Sequence, residues 1–221
     1  MVIVAAGTSR RMVGMNKLFA TLRGKPLLAW SLDTCQECDL VQQIIIVLND
    51  KDLTRGQELK GQRAWFKVAL CPGGVRRQDS VKEGLRQIKD CDRVMIHDGA
   101  RPFLTVNLIK DGLKMADEFG AAAAAVPVKD TIKLADSGKW VKKTLQRNKL
   151  WAVQTPQIFN FDLIAEAYEN LAVEVTDDAT AVERLAHEVK LYMGDYRNIK
   201  VTTREDLALA RIIAREWKQK N

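Results

Sequence analysis

The run Ile44-Ile45-Ile46-Val47-Leu48 is uninterrupted and mostly β-branched, which predicts a strand buried on both faces of a sheet. Shorter apolar runs of the same kind occur at residues 2–5, 66–70, 93–97 and 121–126. Buried strands that alternate with helices usually pair in parallel. These runs therefore predict the interior of an open, mostly parallel sheet.

Amphipathic stretches separate the apolar runs and predict helices. They lie at residues 26–38, 80–88, 105–119, 161–169 and 177–187. A variant of the capping box at residues 203–206 opens a last helix. Its apolar side is expected to carry Leu207, Leu209, Ile212 and Ile213. The β-α-β-α order as a whole predicts an α/β layered sandwich.

The alternation of predicted strands and helices is interrupted near residue 129. Residues 131–134, a turn at 136–138 and residues 140–145 predict a β-hairpin that is basic and polar on both faces. Such a hairpin buries little of itself, so it is either a loose excursion or an arm that grips another subunit. We assign residues 129–150 to this arm.

The whole chain has 221 residues and a formal charge of +7. That length suits one domain, residues 1–221, and 47% apolar residues exclude wholesale disorder. No apolar run approaches the ~20 residues that cross a bilayer, and residues 2–6 are too short for a signal peptide, so a cytoplasmic protein is expected. The charge favours an anionic partner (nucleic acid, a membrane surface or a phosphorylated metabolite), although a solvated basic surface explains it equally well.

The first candidate binding loop follows the first strand directly. It begins Ala5-Ala6-Gly7, and Arg11 and Lys17 come soon after. Small residues let backbone N–H groups approach an anion, and the two cations add fixed charge, so phosphate binding is favoured over a simple glycine turn. The loop matches neither the Walker A pattern nor the dinucleotide fingerprint.

Two further loops also follow predicted strands. Residues 72–80 form a glycine-containing turn with Ser80 at a helix entrance, where a plain helix cap is the favoured interpretation of this loop taken by itself. Residues 97–102 place Asp98 at a strand end, which suits a Mg²⁺ held mainly by phosphate oxygens and water. Arg101 could instead pair with Asp98 structurally. Ligands of open parallel sheets lie at this carboxyl edge, so the loops predict a site for a polyphosphate.

Groups that could act as a general base are scarce, because the chain has two histidines and no Ser-His-Asp or Cys-His order. A phosphate monoester needs no base to become a nucleophile, since its second pKa is about 6. A basic, histidine-poor site therefore fits electrostatic catalysis on two phosphorylated substrates.

Taken in order, the motifs resemble those of the 2-C-methyl-D-erythritol 4-phosphate cytidylyltransferases along the whole chain. They read A-A-G-x-x-x-R-M with a following Lys (5–17), G-G-x-x-R-x-x-S (73–80), H-D-x-A-R-P (97–102), D-T-x-K (130–133), R-N-x-L-W-x-x-Q-T-P-Q (147–157), T-D-D-A (176–179) and N-I-K-V-T (198–202). Each motif alone is weakly specific, whereas the unbroken order of all of them is strongly specific.

The resemblance implies a Rossmann-like, three-layer nucleotidyltransferase fold, a homodimer formed through the hairpin arm, and transfer of CMP from CTP to the polyol phosphate. It also implies Mg²⁺ near Asp98. By motif, the catalytic residues would be Arg11, Lys17, Arg147 and Lys200. The nucleotide would contact Ala5, Ala6, Gly7, Gly74, Ser80, Asp98 and Gly99. The second substrate would contact Arg101, Thr131, Thr155 and Thr176. Because Thr131 and Arg147 lie on or beside the arm, a site shared between subunits is expected.

Three residues depart from the pattern of that family. Gly99 stands where Ala is common, Asn16 stands where many members have Pro before the lysine, and Arg204 replaces a Pro at the last helix. We expect Gly99 to be harmless at a close backbone approach. Without the two prolines, we expect a less rigid loop at Asn16 and a looser helix entry at Arg204.

Other functions remain to be distinguished. A ribitol-5-phosphate cytidylyltransferase would look similar in the same loops, because both nucleophiles are phosphate monoesters of short polyols. A nucleic-acid-binding module would need aromatic residues among the basic ones, and the arm region offers only Trp140 and Trp151. A non-catalytic relative is disfavoured because the basic positions of the motifs are present. No nucleic-acid or membrane partner is therefore expected.

Overall fold

A mixed sheet of seven strands lies at the centre of the computed structural model, which describes residues 1–7 and 16–217. The strands of the described residues, including two pairs that form small sheets of their own, are β1 (Val2–Ala5), β2 (Thr21–Leu22), β3 (Lys25–Pro26), β4 (Ile44–Leu48), β5 (Val68–Pro72), β6 (Arg93–Asp98), β7 (Ala121–Pro127), β8 (Lys133–Ala135), β9 (Val141–Thr144), β10 (Trp151–Asn160) and β11 (Lys190–Met193). The helices are α1 (Leu27–Glu37), α2 (Asp50–Arg63), α3 (Arg77–Arg86), α4 (Val106–Phe119), α5 (Phe161–Glu169), α6 (Asp178–Glu183) and α7 (Arg204–Glu216).

The main sheet has the spatial order β11-β7-β10-β6-β1-β4-β5. β1 pairs in parallel with β4 and β6, β4 with β5, and β7 with β11. β10 is antiparallel to both of its neighbours, β6 and β7. The mostly parallel sheet predicted from the apolar runs is thus confirmed, and the antiparallel strand in its interior is a finding of the structure.

Alternate residues of the central strands face two separate apolar layers. Ile44, Ile46 and Leu48 pack with α1, α2 and α4 on one side of the sheet, whereas Ile45 and Val47 pack with α3, α5 and α6 on the other. All five side chains are at most 1% exposed. Burying each such side chain stabilises the fold by about 1.5–3 kcal/mol, which explains why an unbroken apolar run marks this strand and confirms the three-layer arrangement.

Local capping defines the ends of α4. The Thr105 hydroxyl oxygen accepts a hydrogen bond from the Leu108 N–H at 3.1 Å. Gly120 adopts φ = 79° at the other end, a left-handed conformation that favours glycine. The helix predicted from the sequence therefore begins and ends at the expected residues.

Helix α7 begins with a capping box despite the departure at Arg204. The Thr203 hydroxyl accepts from the Asp206 N–H at 3.2 Å, and the Asp206 carboxylate accepts from the Thr203 N–H at 2.9 Å. The expected apolar side was partly wrong, because Leu209 and Ile212 are 46% and 53% exposed. The buried face carries Leu207, as predicted, together with Ala210 and Ala214.

Helix α6 ends at Glu183, whereas the sequence predicted a helix that continues to residue 187.

The predicted hairpin is formed by β8 and β9, which pair antiparallel with each other and form a sheet of their own. Every residue of both strands is exposed, in agreement with the expectation that the hairpin buries little of itself. Leu134, Trp140 and Val141 are 55%, 75% and 59% exposed. Among the described helices, none is long and apolar enough to cross a membrane.

Candidate active site

A cavity of about 230 Å³ opens at the carboxyl edge of the central strands. The predicted site residues that line it are Ala5, Ala6, Gly7, Lys17, Gly74, Ser80, Asp98 and Lys200. Residues that sequence reasoning did not assign also line it, and these are Val4, Leu18, Val75, Arg76, Arg77 and Ala100. The three strand-end loops therefore meet as predicted, because parallel strands bring their carboxyl ends to one edge.

The loop between β5 and α3 passes very close to the β1 loop. A Cβ on Gly73 would lie 2.4 Å from the Cβ of Ala6, and one on Gly74 would lie 2.3 Å from the Cβ of Asp79. The Ser80 hydroxyl accepts from the Gly74 N–H at 3.2 Å and is within 3.2 Å of the Arg76 carbonyl, to which it donates. Glycine is thus required for this approach, and Ser80 holds the loop in shape at the cavity wall.

Two adjacent arginines at the start of α3 have different roles. Arg76 is half exposed and pairs with Asp79 on the surface. Arg77 turns inward, where its two terminal nitrogens donate to the Asp178 carboxylate at 2.8 and 2.7 Å, and its Nε donates to Asp98 at 3.3 Å. Burial opposes the charge of Arg77, but the two carboxylates outweigh burial and raise the pKa of its guanidinium above the ordinary value.

The carboxylate partner of Arg77 is fully buried. Asp178 has no exposed surface and also accepts a hydrogen bond from the Tyr168 hydroxyl at 2.6 Å. This network joins α3, α5 and α6 beneath the cavity and fixes the guanidinium that reaches Asp98. The motif G-G-x-x-R-x-x-S contains Arg77, but sequence reasoning assigned this residue no role, because its partners Asp98 and Asp178 come from distant parts of the chain.

Asp98 is surrounded by cations. Its carboxylate oxygens lie 2.8 Å from Lys200 Nζ, 3.3 Å from Arg77 Nε and 3.6 Å from Arg101 Nε. Burial alone would raise the pKa of this carboxyl, but the three cations hold the pKa well below its usual range, so the group is ionised at neutral pH. Lys200, Arg77 and Arg101 against the carboxylates of Asp98 and Asp178 leave one net positive charge, which attracts phosphorylated ligands.

The segment that carries Lys200 docks on the loop after β6. Arg101 donates from Nη1 to the Asn198 carbonyl at 2.7 Å, and the Val201 N–H donates to the Ala100 carbonyl at 2.9 Å. These two bonds hold Lys200 between them and direct it to Asp98. The structural pairing of Arg101 with Asp98, which the sequence left open, is present.

His97 has a structural role beside the site. The Asp98 N–H donates to the Thr155 hydroxyl oxygen at 3.0 Å, and that hydroxyl lies 3.0 Å from His97 Nδ1. Because the Arg101 carbonyl can only accept, His97 Nε2 donates to it at 3.0 Å, and Nδ1 of the neutral ring then accepts the proton of the Thr155 hydroxyl. Burial lowers the pKa of His97 to about 4, so its imidazole is neutral and occupied at neutral pH.

Comparison with known proteins decides the family. The model of the 2-C-methyl-D-erythritol 4-phosphate cytidylyltransferase family matches residues 1–216. The chain belongs to this family. It is therefore a cytidylyltransferase, an enzyme of the nucleotidyltransferase class.

Individual relatives agree with this assignment. The chain is 48% identical over 216 residues to the 2-C-methyl-D-erythritol 4-phosphate cytidylyltransferase of Dehalococcoides mccartyi, covering 97% of this chain and 95% of the relative. The enzyme of the same name from Caldanaerobacter subterraneus is 42% identical, with 97% and 98% covered. The crystal structure of 4-diphosphocytidyl-2C-methyl-D-erythritol synthase from Anaerococcus prevotii superposes with a TM-score of 0.88 at 29% identity, covering 97% and 94%.

Some residues that the cytidylyltransferase motifs nominate lie away from the cavity wall. Thr131, Arg147 and Thr176 are exposed, and Arg147 donates to the Lys129 carbonyl at 2.8 Å. Thr155 is 3% exposed, and its hydroxyl bridges Asp98 and His97 inside the protein. The assignment of the three threonines to the second substrate and that of Arg147 to catalysis stay predictions.

Arg11 and Gly99 need separate mention. Arg11 lies outside the described residues, so its predicted catalytic role has no structural counterpart here. Gly99 is buried behind the cavity, where an added Cβ would lie 2.9 Å from the Cβ of Ala5 and 3.1 Å from Leu28 Cδ1. The glycine that departs from the cytidylyltransferase pattern therefore fills a tight position rather than touching the cavity.

The donor atoms present fit a Mg²⁺ that is carried mainly by phosphate oxygens. Within the described residues, no group of three or more His, Cys, Asp or Glu side chains is placed to hold a metal ion. Asp98 is the only carboxylate among the described residues that line the cavity. Mg²⁺ commonly takes one or two carboxylates and completes its shell with waters and substrate phosphates, and Asp98 could supply that one carboxylate.

Proposed function

We propose that the protein transfers CMP from CTP to 2-C-methyl-D-erythritol 4-phosphate. An oxygen of the substrate phosphate forms a bond to the α-phosphorus of CTP, the bond from that phosphorus to the bridging β-phosphate oxygen breaks, and pyrophosphate leaves. The observation that carries the proposal is the cavity itself. It joins a wall of small residues with Lys17, Arg77 and Lys200 at one edge of the sheet.

The reaction needs charge neutralisation rather than a general base. The attacking phosphate monoester is already largely ionised at neutral pH, since its second pKa is about 6. His97, the imidazole nearest this edge, is buried, neutral and engaged at both nitrogens. Catalysis then rests on fixed cations that align two polyanions and stabilise charge on the leaving pyrophosphate.

Each cation has a distinct place in this scheme. Lys17 would contact the triphosphate, together with Arg11. Lys200, which is 40% exposed, would leave Asp98 in part to contact the attacking phosphate. Mg²⁺ bound to the phosphates near Asp98 would supply further neutralisation of the triphosphate charge.

The nucleoside would lie against the small residues of the β1 and β5–α3 loops. Ala5, Ala6 and Gly7 leave the backbone accessible on one side, and Gly74 and Ser80 form the other side. Backbone groups that approach a base closely can read its hydrogen-bonding edge, which supports a nucleotide rather than a purely anionic ligand here.

The hairpin arm supports a homodimer with shared sites. Its Leu134, Trp140 and Val141 are large apolar side chains that are exposed within one copy, where water solvates them at a cost. Thr131 and Arg147 lie within the arm, residues 129–150, and outside the cavity of their own subunit. We infer that the arm packs on a second copy and brings these two residues to the polyol phosphate there.

Replacing Arg147 by alanine tests this assignment. We expect the KM for 2-C-methyl-D-erythritol 4-phosphate to rise by about 10-fold or more, because a charge-assisted contact to phosphate is lost. The KM for CTP should stay within about 2-fold of the unchanged value, since Arg147 does not line the nucleotide cavity. Release of pyrophosphate at varied concentrations of each substrate measures both constants.

The matched control is Lys149→Ala, which removes an exposed cation from the same short turn, Arg147–Lys149. Both KM values should be unchanged in that variant. A selective rise in the KM for CTP after Arg147→Ala would contradict the role proposed for Arg147.

A further inference from the structure

Asn16, the residue directly before Lys17, is held at both ends of its side chain. Its Nδ2 donates to the two carboxylate oxygens of Asp52 at 2.7 and 2.8 Å. Its Oδ1 accepts from the Leu18 N–H at 3.2 Å and so caps the 3-10 turn Lys17–Phe19. The turn that carries Lys17 is therefore attached through one side chain to helix α2.

Asp52 is a well-supported anchor for this attachment. It lies in the first turn of α2, where the partial positive charge of the helix end favours a carboxylate, and it is 9% exposed. Asn49 also donates to it through Nδ2. Hydrogen bonds to a carboxylate are roughly twice as strong as those between neutral groups, so the bond from Asn16 is strong for its type.

A second contact joins the far end of the same turn to α2. The Arg55 guanidinium carbon lies 4.1 Å from the centre of the Phe19 ring, a cation–π distance. The turn is thus fixed to the helix on both sides of Leu18, which is itself 1% exposed. Lys17 lies within the fixed segment and lines the cavity.

We propose that Asn16 is a positioning residue for catalysis, which directs Lys17 to the triphosphate through its bond to Asp52. The inference rests on the proposed function, because it assumes that Lys17 contacts CTP. Asn16 adopts φ = −80°, within reach of the −65 ± 15° that a proline ring imposes. The hydrogen bonds from Asn16 to Asp52 therefore restrict the backbone before the lysine, as a proline ring at this position would.

The test compares Asn16→Ala, Asp52→Ala and the double variant with the unchanged protein. We expect each single change to lower kcat/KM for CTP by about 10-fold, because a catalytic group displaced by a fraction of an ångström loses much of its effect. The kcat/KM of the double variant for CTP should lie within about 2-fold of that of the less active single variant, because both changes break the same hydrogen bond. The KM for the polyol phosphate should be unchanged.

Two further variants separate positioning from folding. Asn16→Pro should recover most of the activity that Asn16→Ala loses, because the ring restores the restriction of φ. Asn49→Ala removes another donor to Asp52 without touching the Lys17 turn, and it should leave kcat/KM for CTP unchanged. Thermal unfolding of every variant checks that none of them acts through loss of the fold.

The outcomes distinguish this inference from the function on which it rests. If the unchanged protein releases no pyrophosphate from CTP, the proposed function fails. If the unchanged protein is active and Asn16→Ala equals it, or if activity falls additively in the double variant, the positioning role is overturned. Equal losses in Asn16→Ala and Asn49→Ala would also overturn it, because a general loosening of α2 would then be the cause.

Discussion

Replacing Lys17 by alanine is expected to lower kcat by about 1000-fold or more while the protein unfolds at nearly its usual temperature. Cations that stabilise the charge of a transferring phosphoryl or nucleotidyl group contribute on the order of 10³-fold or more to turnover. Lys17 lies at the start of a 3-10 turn whose buried residues are Leu18 and Phe19, so its removal leaves that packing intact. Pyrophosphate release and thermal unfolding measure the two effects.

A suitable control is Lys89→Ala, which removes the same charge from an exposed position between α3 and β6, at the opposite edge of the sheet. It should leave turnover unchanged. Should Lys17→Ala retain full turnover, the electrostatic mechanism would be wrong, and a variant that melts early would mean that Lys17 mainly supports the loop.

The second large effect is expected from Asp178→Asn, which should destabilise the fold by about 3 kcal/mol or more, because it removes the nearer of the two buried carboxylates that balance the charge of Arg77 and leaves only Asp98 at 3.3 Å. The variant should also lose activity even where it is folded, since Arg77 would no longer be held towards Asp98. Chemical denaturation gives the free energy of unfolding, and the rate of pyrophosphate release is measured well below the unfolding temperature.

The same change of acid to amide at Glu83 serves as the comparison. Glu83 pairs with Arg86 on the exposed face of α3, and solvent screens such pairs. Glu83→Gln should therefore unfold like the unchanged protein. Equal unfolding curves for Asp178→Asn and Glu83→Gln would mean that the buried network beneath the cavity does not stabilise the fold.

Much of the fold could be predicted because buried parallel strands leave a strong signal. The strands at Val2–Ala5 and Ile44–Leu48 have the predicted bounds, and both are apolar on two faces. The sequence does not predict α2 in the same way, since its residues are mostly polar and include two glycines. Gly56 is explained only by the fold, because a Cβ there would lie 2.4 Å from Leu48 Cδ1.

The antiparallel strand β10 shows why a central strand can escape prediction. Its buried part includes Gln154, Thr155 and Gln157, and Pro156 argues against a central position because it cannot donate to a neighbour. The pairing with β7 shifts in register between Val153 and Gln157, which accommodates the proline. Only the tertiary structure reveals this arrangement.

The site could be predicted where a loop follows a strand and not where a side chain crosses between elements. Asp98 directly follows a predicted strand, and Lys17 follows the loop after β1 at the spacing of its motif. Both residues line the cavity. Arg77 and Asp178 are 101 residues apart in sequence and meet only when α3 and α6 pack together. Without the fold, no spacing rule connects them.

The central claim is that the enzyme transfers CMP to 2-C-methyl-D-erythritol 4-phosphate, and the rate of pyrophosphate release from CTP tests it most directly. The protein is supplied with Mg²⁺, CTP and either this substrate or ribitol 5-phosphate. We expect kcat/KM to be greater by about 100-fold or more for 2-C-methyl-D-erythritol 4-phosphate, because a site that contacts one polyol leaves unpaired polar groups with the other. A preference for ribitol 5-phosphate, or release that depends on neither polyol, would contradict the account.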